Sequence, residues 1–200
     1  MPLEGDGAGF ELNVASEKGI FKALKLKLDQ NLEEDHFLCG FFLGHAQLLA
    51  GRPLSIIGSL TFREWESFFR DLNHQECVAP EQLALALKLH ESLCEIFLSS
   101  VMESAWKSVS APQMPSEKLL WIERLQWLDV TLREFFAVLL PRGNSLALLG
   151  LEPLAENANE YQLLLERPRA LEMSESFSLY LEKFLIRTLV VTKEIKLVAE

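Results

Sequence analysis

The chain has 200 residues, of which 49% are hydrophobic and 24% are charged, and its formal net charge at pH 7 is −10. This composition is typical of a globular domain with its own core, and it excludes an intrinsically disordered chain. No segment is strongly basic, so the electrostatic attraction that a phosphate backbone requires is missing, and we expect no nucleic-acid partner.

The cysteines and the first residues of the chain indicate the cellular compartment of the protein. Cys39, Cys77 and Cys94 lie far apart and are odd in number, which is not a disulfide framework and indicates a reducing compartment such as the cytoplasm. The acidic, glycine-rich start does not match a secretory signal, and no apolar run approaches the ~20 residues that span a bilayer. We therefore predict a cytoplasmic protein with a flexible N-terminus (residues 1–9), a single domain over residues 10–200 and no membrane insertion.

The first predicted element, residues 18–28, interleaves lysines with apolar side chains. Such a segment suits either a basic helix on an anionic membrane surface or an ordinary amphipathic element of the fold. The acidic residues Glu33, Glu34 and Asp35 follow shortly afterwards and would be repelled by anionic lipid, which favours the second interpretation. The stretch Leu24–Leu28 also alternates with the period of a strand.

Bulky apolar residues recur at intervals of three and four along most of the chain, which is the pattern of amphipathic helices. Two helices carry local start signals, because Thr61 and Glu64 form a capping box and Pro80 suits a first helical turn. The helix that begins near residue 116 has the most regular spacing. Since Ile122, Val130 and Phe136 widen its apolar stripe, we expect more than one neighbour to cover it. The predicted helices span about 33–50, 61–73, 80–109, 116–140, 155–166 and from 174 onwards.

The last segment of the chain is ambiguous. Residues 189–198 contain valine, threonine and isoleucine in near alternation, which is compatible with a strand, but the sequence offers no other convincing strand as a partner. We therefore extend the last helix through this segment and keep a short C-terminal β segment as the alternative. The predicted fold class is all-α, a single-domain bundle of about six or seven helices.

Two pairs of potential metal ligands lie at helical spacing. His36 and Cys39 are three residues apart and His90 and Cys94 are four apart, so each pair can project from one helix face. Nitrogen and sulfur ligands from two neighbouring helices suit tetrahedral zinc. The opposing interpretation has the cysteines in the core with partly exposed histidines, because both cysteines lie in apolar runs and no Cys-x-x-Cys pair is present. We expect no resident cofactor and keep zinc as the alternative.

The helix predicted over residues 61–73 is a candidate partner-binding surface. Its aromatic stripe alternates with charged side chains, so one edge of the stripe can stay exposed for a partner while most of it packs in the core. We select Trp65 and Phe69 for this contact.

The sequence carries no signature of an enzyme, since it has no Gly-rich phosphate loop, dinucleotide fingerprint or nucleophile elbow. We therefore name no catalytic residue. We predict a non-catalytic accessory protein, an adaptor or an assembly or maturation chaperone, that acts by protein–protein binding, with homo-oligomerisation also open. The alternative is a helical module that binds a metal ion or an apolar small molecule between its helices.

Overall fold

The computed structural model describes residues 10–28, 50–57, 67, 80–110, 121–154, 161–189 and 192–199. Within these residues the chain forms three α-helices, one short 3-10 helix and five strands. The prediction of an all-α bundle of six or seven helices is therefore wrong, and the fold is a mixture of helices and sheets. In chain order the elements are β1 (Phe10–Glu17), β2 (Ile20–Leu28), the 3-10 helix (Leu54–Ile56), α1 (Pro80–Lys107), α2 (Trp121–Leu139), β3 (Ala147–Pro153), β4 (Tyr161–Arg167), α3 (Glu175–Thr188) and β5 (Thr192–Ala199).

The three helices were predicted from the spacing of apolar residues. The predicted helix over 80–109 is confirmed as α1, and the regular stripe predicted over 116–140 is confirmed over the residues of α2. Helix α3 begins after Ser174, whose side chain accepts a hydrogen bond from the backbone N–H of Phe177 and so caps the first turn. The helices predicted over 33–50 and 61–73 lie almost entirely outside the described residues.

Strands β1 and β2 form an antiparallel hairpin, so the lysine-rich segment is a strand and not a basic helix. Successive residues of a strand face opposite sides, so a sequence that alternates lysine with leucine has one polar face and one apolar face as a strand. This pattern explains why the segment is a strand. The turn consists of Lys18 and Gly19, with φ values of 53° and 73°, the two positive angles of a type I′ turn. A Cβ atom on Gly19 would lie 2.6 Å from the carbonyl oxygen of Leu139, because the turn packs against the end of α2.

The second sheet contains β3, β4 and β5 in that order, with β3 antiparallel and β5 parallel to the central strand β4. The predicted helix over 155–166 is wrong over the residues of β4. The extension of the last helix through 189–198 is also wrong, since α3 ends at Thr188 and β5 follows, so the alternative of a C-terminal β segment is confirmed. The pairing of β4 with β5 supplies the partner strand that the sequence did not reveal.

One face of this sheet forms part of the core. Two rows of apolar side chains run across the three strands and point towards the helices. Helix α2 packs against β3, and α3 packs against β5. Helix α1 packs against both α2 and α3, and the rings of Phe135 in α2 and Phe184 in α3 stack with their centroids 5.6 Å apart. The two rows are Leu148, Leu165 and Leu197, and Leu151, Leu163 and Ile195.

The segment around the 3-10 helix joins the hairpin to α3. The backbone N–H of Leu54 donates to the carbonyl of Gly19 at 2.7 Å, and the N–H of Ser174 donates to the carbonyl of Ser55 at 2.7 Å. The Ser174 hydroxyl also donates to the carbonyl of Ile57 at 2.6 Å. Since buried backbone groups require partners, these bonds fix the hairpin relative to the helical core.

Candidate functional site

The structure describes two of the six site residues predicted from the sequence, His90 and Cys94. The other four lie outside the described residues, so neither the partner-binding pair nor the joining of two ligand pairs is tested. These four are His36, Cys39, Trp65 and Phe69.

His90 and Cys94 lie one turn apart on α1, and their side chains are in contact. The Cys94 sulfur is 3.8 Å from both Nδ1 and Nε2 of His90. Equal distances place the sulfur on the plane that bisects the two nitrogens, so it lies in line with the lone pair of neither. Zinc bonds of ~2.1 Å to nitrogen and ~2.3 Å to sulfur at a tetrahedral angle hold the two ligand atoms ~3.6 Å apart. The separation is close to this value, but one metal ion could bind both atoms only after the imidazole ring turns so that a nitrogen lone pair points to it.

Burial keeps both side chains uncharged at neutral pH. His90 is 5% exposed and Cys94 is 4% exposed, so the partial exposure expected for the histidine is wrong. Burial lowers the pKa of His90 to about 4, and burial together with the charge of Glu91 raises the pKa of Cys94 to about 12. The thiol therefore stays protonated at pH 7, which opposes a role as a nucleophile. A metal ion would have to displace the thiol proton.

Helix α3 lies beside this pair. It packs against α1, and burial raises the pKa of Tyr180, with the charges of Glu95 and Glu91 on α1 adding to this increase. In the part of the chain that the structure describes, no three His, Cys, Asp or Glu side chains are arranged to hold a metal ion. The described pair is thus at most half of a four-ligand site.

The second candidate is the solvent face of α2. Ile122 is 62% exposed, Val130 is 47% exposed and Val138 is 46% exposed. These residues are eight apart and, with Gln126 and Glu134 between them, form one i±4 row along the helix. We call this row of five residues the α2 ridge.

The α2 ridge departs from what the sequence predicted. The expectation that neighbours cover the widened stripe holds for Phe136, which is buried, and is wrong for Ile122 and Val130, because the described neighbours cover only the opposite face of the helix. That opposite face fills the core with Leu128, Leu132, Phe135, Phe136 and Leu139. The sequence contains a second apolar row at eight-residue spacing, apart from the row that steps by three and four, but it does not show that this second row stays uncovered.

Charged side chains on and beside the α2 ridge form hydrogen bonds and ion pairs with neighbouring groups. Glu134 accepts hydrogen bonds from the backbone N–H of Ser110 at 2.7 Å and from its hydroxyl at 3.1 Å. Arg133 forms an ion pair with Asp129 at 2.9 Å. Helix α2 contains three acidic residues and two arginines, so its net charge is −1, whereas the whole chain carries −10. The ridge therefore lies on a nearly neutral part of an acidic protein.

Comparison with known proteins gives no family for this chain. No family model matches it, and no curated protein or solved structure is significantly similar to it. Among the described helices, none has the length and apolar character needed to cross a membrane. The His90–Cys94 pair and the α2 ridge are the features of the described residues that bear on function.

Proposed function

We propose that this chain is a non-catalytic accessory protein that acts by binding a protein partner through the α2 ridge. The observation that carries the proposal is the exposure of three branched apolar side chains, Ile122, Val130 and Val138, in one row of a helix whose other face is fully packed. These side chains recur every two turns along the row, with Gln126 and Glu134 between them, so they offer a partner a line of apolar contacts along the helix.

The size of the ridge sets the strength of this interaction. Full burial of one such side chain contributes about 1.5–3 kcal/mol, and each of the three is about half exposed, so covering them contributes about 2–4 kcal/mol in total. Association costs at least a similar amount in translational and rotational freedom. The partner must therefore add polar contacts at the rim, and we expect a reversible complex.

We keep the class of protein that the sequence predicts, an adaptor or assembly factor, and the predicted compartment, the cytoplasm. The cytoplasmic location rests on the odd number and wide spacing of the cysteines. Buried Cys94, with its raised pKa, is compatible with a thiol that stays reduced.

Affinity purification with matched variants tests the proposal. Val130→Glu places a charge in the middle of the α2 ridge, and Leu179→Glu is the control because Leu179 is 48% exposed and lies on α3. We expect quantitative mass spectrometry of material from the producing cells to show a partner with the wild type and with Leu179→Glu, and at least tenfold less with Val130→Glu. Equal recovery with both variants would rule out the ridge as the interface. Circular dichroism must show that both variants are folded.

A second candidate function is metal binding at His90 and Cys94, which the 3.8 Å separation of the sulfur from the ring nitrogens favours. Elemental analysis of the purified protein tests it. Stoichiometric zinc that is lost in a folded Cys94→Ala variant would establish this candidate, whereas metal-free protein would end it. For the related candidate of an apolar small molecule between the helices, native mass spectrometry would reveal a retained ligand.

A further inference from the structure

We propose that the α2 ridge binds an amphipathic helix of another protein that presents an arginine between apolar side chains, an inference that rests on the proposed function of the ridge. The feature that points to this partner is the carboxylate of Glu134, which lies in one row between the exposed valines Val130 and Val138. Each valine is four residues from Glu134, which is about 6 Å along the helix axis. A complementary partner must therefore supply a cation with apolar groups beside it.

The charge of Glu134 is not compensated within its own helix. Helix α2 contains three acidic residues and two arginines. Arg133 forms an ion pair with Asp129 at 2.9 Å, and Arg124 balances the formal charge of its neighbour Glu123. The net charge of −1 on the helix therefore corresponds to Glu134, which forms no ion pair with the residues that the structure describes.

The carboxylate of Glu134 is also held in one orientation. The hydrogen bonds from the backbone N–H of Ser110 at 2.7 Å and from its hydroxyl at 3.1 Å both end on Oε2. Oε1 takes part in neither bond, and Glu134 is partly exposed. Because Ser110 lies just beyond the end of α1, the two bonds fix the carboxylate to a second element. An acceptor that is already ordered loses little conformational freedom when it binds a donor, which favours affinity.

Arginine is the cation that suits this position. Its guanidinium group is weakly hydrated and donates to carboxylates from a planar fork, whereas the ammonium of lysine is a strongly hydrated point charge. The apolar stem of an arginine can also pack along apolar surface, which Val130 and Val138 provide on either side of Glu134. One side chain of the partner thus meets both the charged and the apolar parts of the ridge.

The backbone of α2 favours a helix as the element that carries this arginine. The N–H and C=O groups inside an α-helix are bonded to each other, so the solvent face of α2 offers a partner only side chains. A helix satisfies its own backbone before it binds, whereas a strand that covered this face would leave backbone groups without partners. The α2 ridge then lies in the groove between two rows of partner side chains, and the arginine extends from one of these rows to Glu134.

The net charge of the whole chain favours the same partner. A chain that carries −10 attracts cationic segments and accelerates their association. Since this attraction acts on every cationic peptide, a test must separate the contact with Glu134 from the general effect of charge.

A double-mutant cycle with two synthetic peptides makes this separation. The first is a stapled helix with one arginine between leucines at four-residue spacing and alanine elsewhere, and the second has citrulline, which is uncharged and similar in shape, in place of the arginine. Glu134→Gln removes the charge but keeps an acceptor for Ser110. Glu172→Gln is the control, because it removes the same charge at an exposed position outside α2.

Isothermal titration calorimetry of the full chain measures the four affinities. We expect Glu134→Gln to weaken binding of the arginine peptide about tenfold and Glu172→Gln to weaken it less than about twofold. The citrulline peptide should bind the wild type and Glu134→Gln equally. Equal weakening by the two glutamine variants, equal affinity of the wild type for the two peptides, or no binding of the arginine peptide at ~1 mM would overturn the inference.

The apolar part of the contact has its own pair of variants. Val130→Ser should weaken binding of the arginine peptide severalfold, whereas Leu179→Ser, at a similarly exposed position on α3, should leave it unchanged. Equal affinities of these two variants would contradict a contact on the α2 ridge. Circular dichroism must show that every variant is folded.

The inference and the proposed function fail in different ways. If Val130→Glu loses the cellular partner in affinity purification but Glu134→Gln retains it, the ridge binds a protein and the arginine contact is wrong. If neither variant changes the recovery of any protein, both proposals are wrong. If both variants lose the same protein and the peptide cycle shows the expected loss at Glu134, both are supported.

Discussion

The turn of the β1–β2 hairpin offers a sensitive test of the fold, because Gly19 packs against backbone and not against side chains. A Cβ atom at this position would lie 2.6 Å from the carbonyl oxygen of Leu139, 2.7 Å from the carbonyl carbon of Leu140 and 2.7 Å from the nitrogen of Pro141. None of these atoms can rotate away as the end of a flexible side chain can. Replacement of Gly19 by alanine must therefore displace the hairpin from the end of α2.

The expected loss of stability has two parts. Gly19 has a φ of +73°, and a residue with a Cβ atom in this left-handed region costs about 1–2 kcal/mol. Forcing an extra methyl group into a packed site costs a further 1–3 kcal/mol or so. We expect Gly19→Ala to lower the free energy of unfolding by about 2–5 kcal/mol, a large fraction of the 5–15 kcal/mol or so that stabilises most domains.

Urea denaturation followed by circular dichroism measures this loss, and Gly143→Ala is the matched control. Gly143 has a φ of +88° but no atom within 4 Å of its added Cβ, so it carries only the conformational cost of about 1–2 kcal/mol. The difference between the two variants isolates the contact of the hairpin with α2. If Gly19→Ala and Gly143→Ala lower the free energy of unfolding equally, the hairpin does not pack against the end of α2.

Three further predictions concern buried polar side chains. Ser174→Ala removes a helix cap and the hydroxyl that donates to the Ile57 carbonyl, so we expect the free energy of unfolding in urea to fall by about 2–4 kcal/mol. The control Ser108→Ala, at an exposed position, should lower it by less than about 1 kcal/mol. Equal losses would contradict the linkage of the 3-10 segment to α3. The buried Thr131 hydroxyl has no hydrogen-bond partner among the described residues, so Thr131→Val should raise the free energy of unfolding by about 1 kcal/mol, and a lower urea midpoint would refute this. Burial lowers the pKa of His90 from 6.5 to about 4, so the unfolded chain binds a proton at a higher pH than the folded chain does. Above pH 6.5 this group should not affect the free energy of unfolding. As the pH decreases from 6.5 to 4, the free energy of unfolding should fall by up to about 3 kcal/mol. An unchanged pH dependence in His90→Gln would show that another group is responsible.

The helices were predictable because their apolar residues follow the helical period over long stretches. In α2 the row from Leu128 through Leu132 and Phe135 to Leu139 is buried, and a period of three and four over 12 residues or so is incompatible with a strand. The start of α3 was also predictable, since serine at position 174 is a favoured N-cap.

The strands were not predictable with the same arguments. The run Leu163–Leu165 in β4 is short and wholly apolar, and such a run fits a buried strand and a helix segment equally well. Its identity depends on its pairing with β3 and β5, and β5 lies beyond a whole helix further along the chain. The hairpin turn was missed because Lys18 and Gly19 are not one of the commonest two-residue turn sequences, although the glycine supplies the positive φ that such turns need.

The candidate sites were also predictable from the sequence only in part. A spacing of four residues predicted that His90 and Cys94 would face each other, and they are in contact. Their deep burial, which sets both pKa values, depends on tertiary packing and could not be derived from spacing. The α2 ridge required the structure, because the sequence shows that Ile122 and Val130 lie on a wide apolar stripe but not which part of the stripe is covered.

Photocross-linking at position 130 in the producing cells tests most directly whether the α2 ridge binds a protein. A benzophenone amino acid in place of Val130 should give a discrete covalent product on irradiation. The same amino acid in place of Leu179, which is similarly exposed on α3, should give none. An absence of product from position 130, or equal products from both positions, would show that the ridge is an ordinary exposed surface.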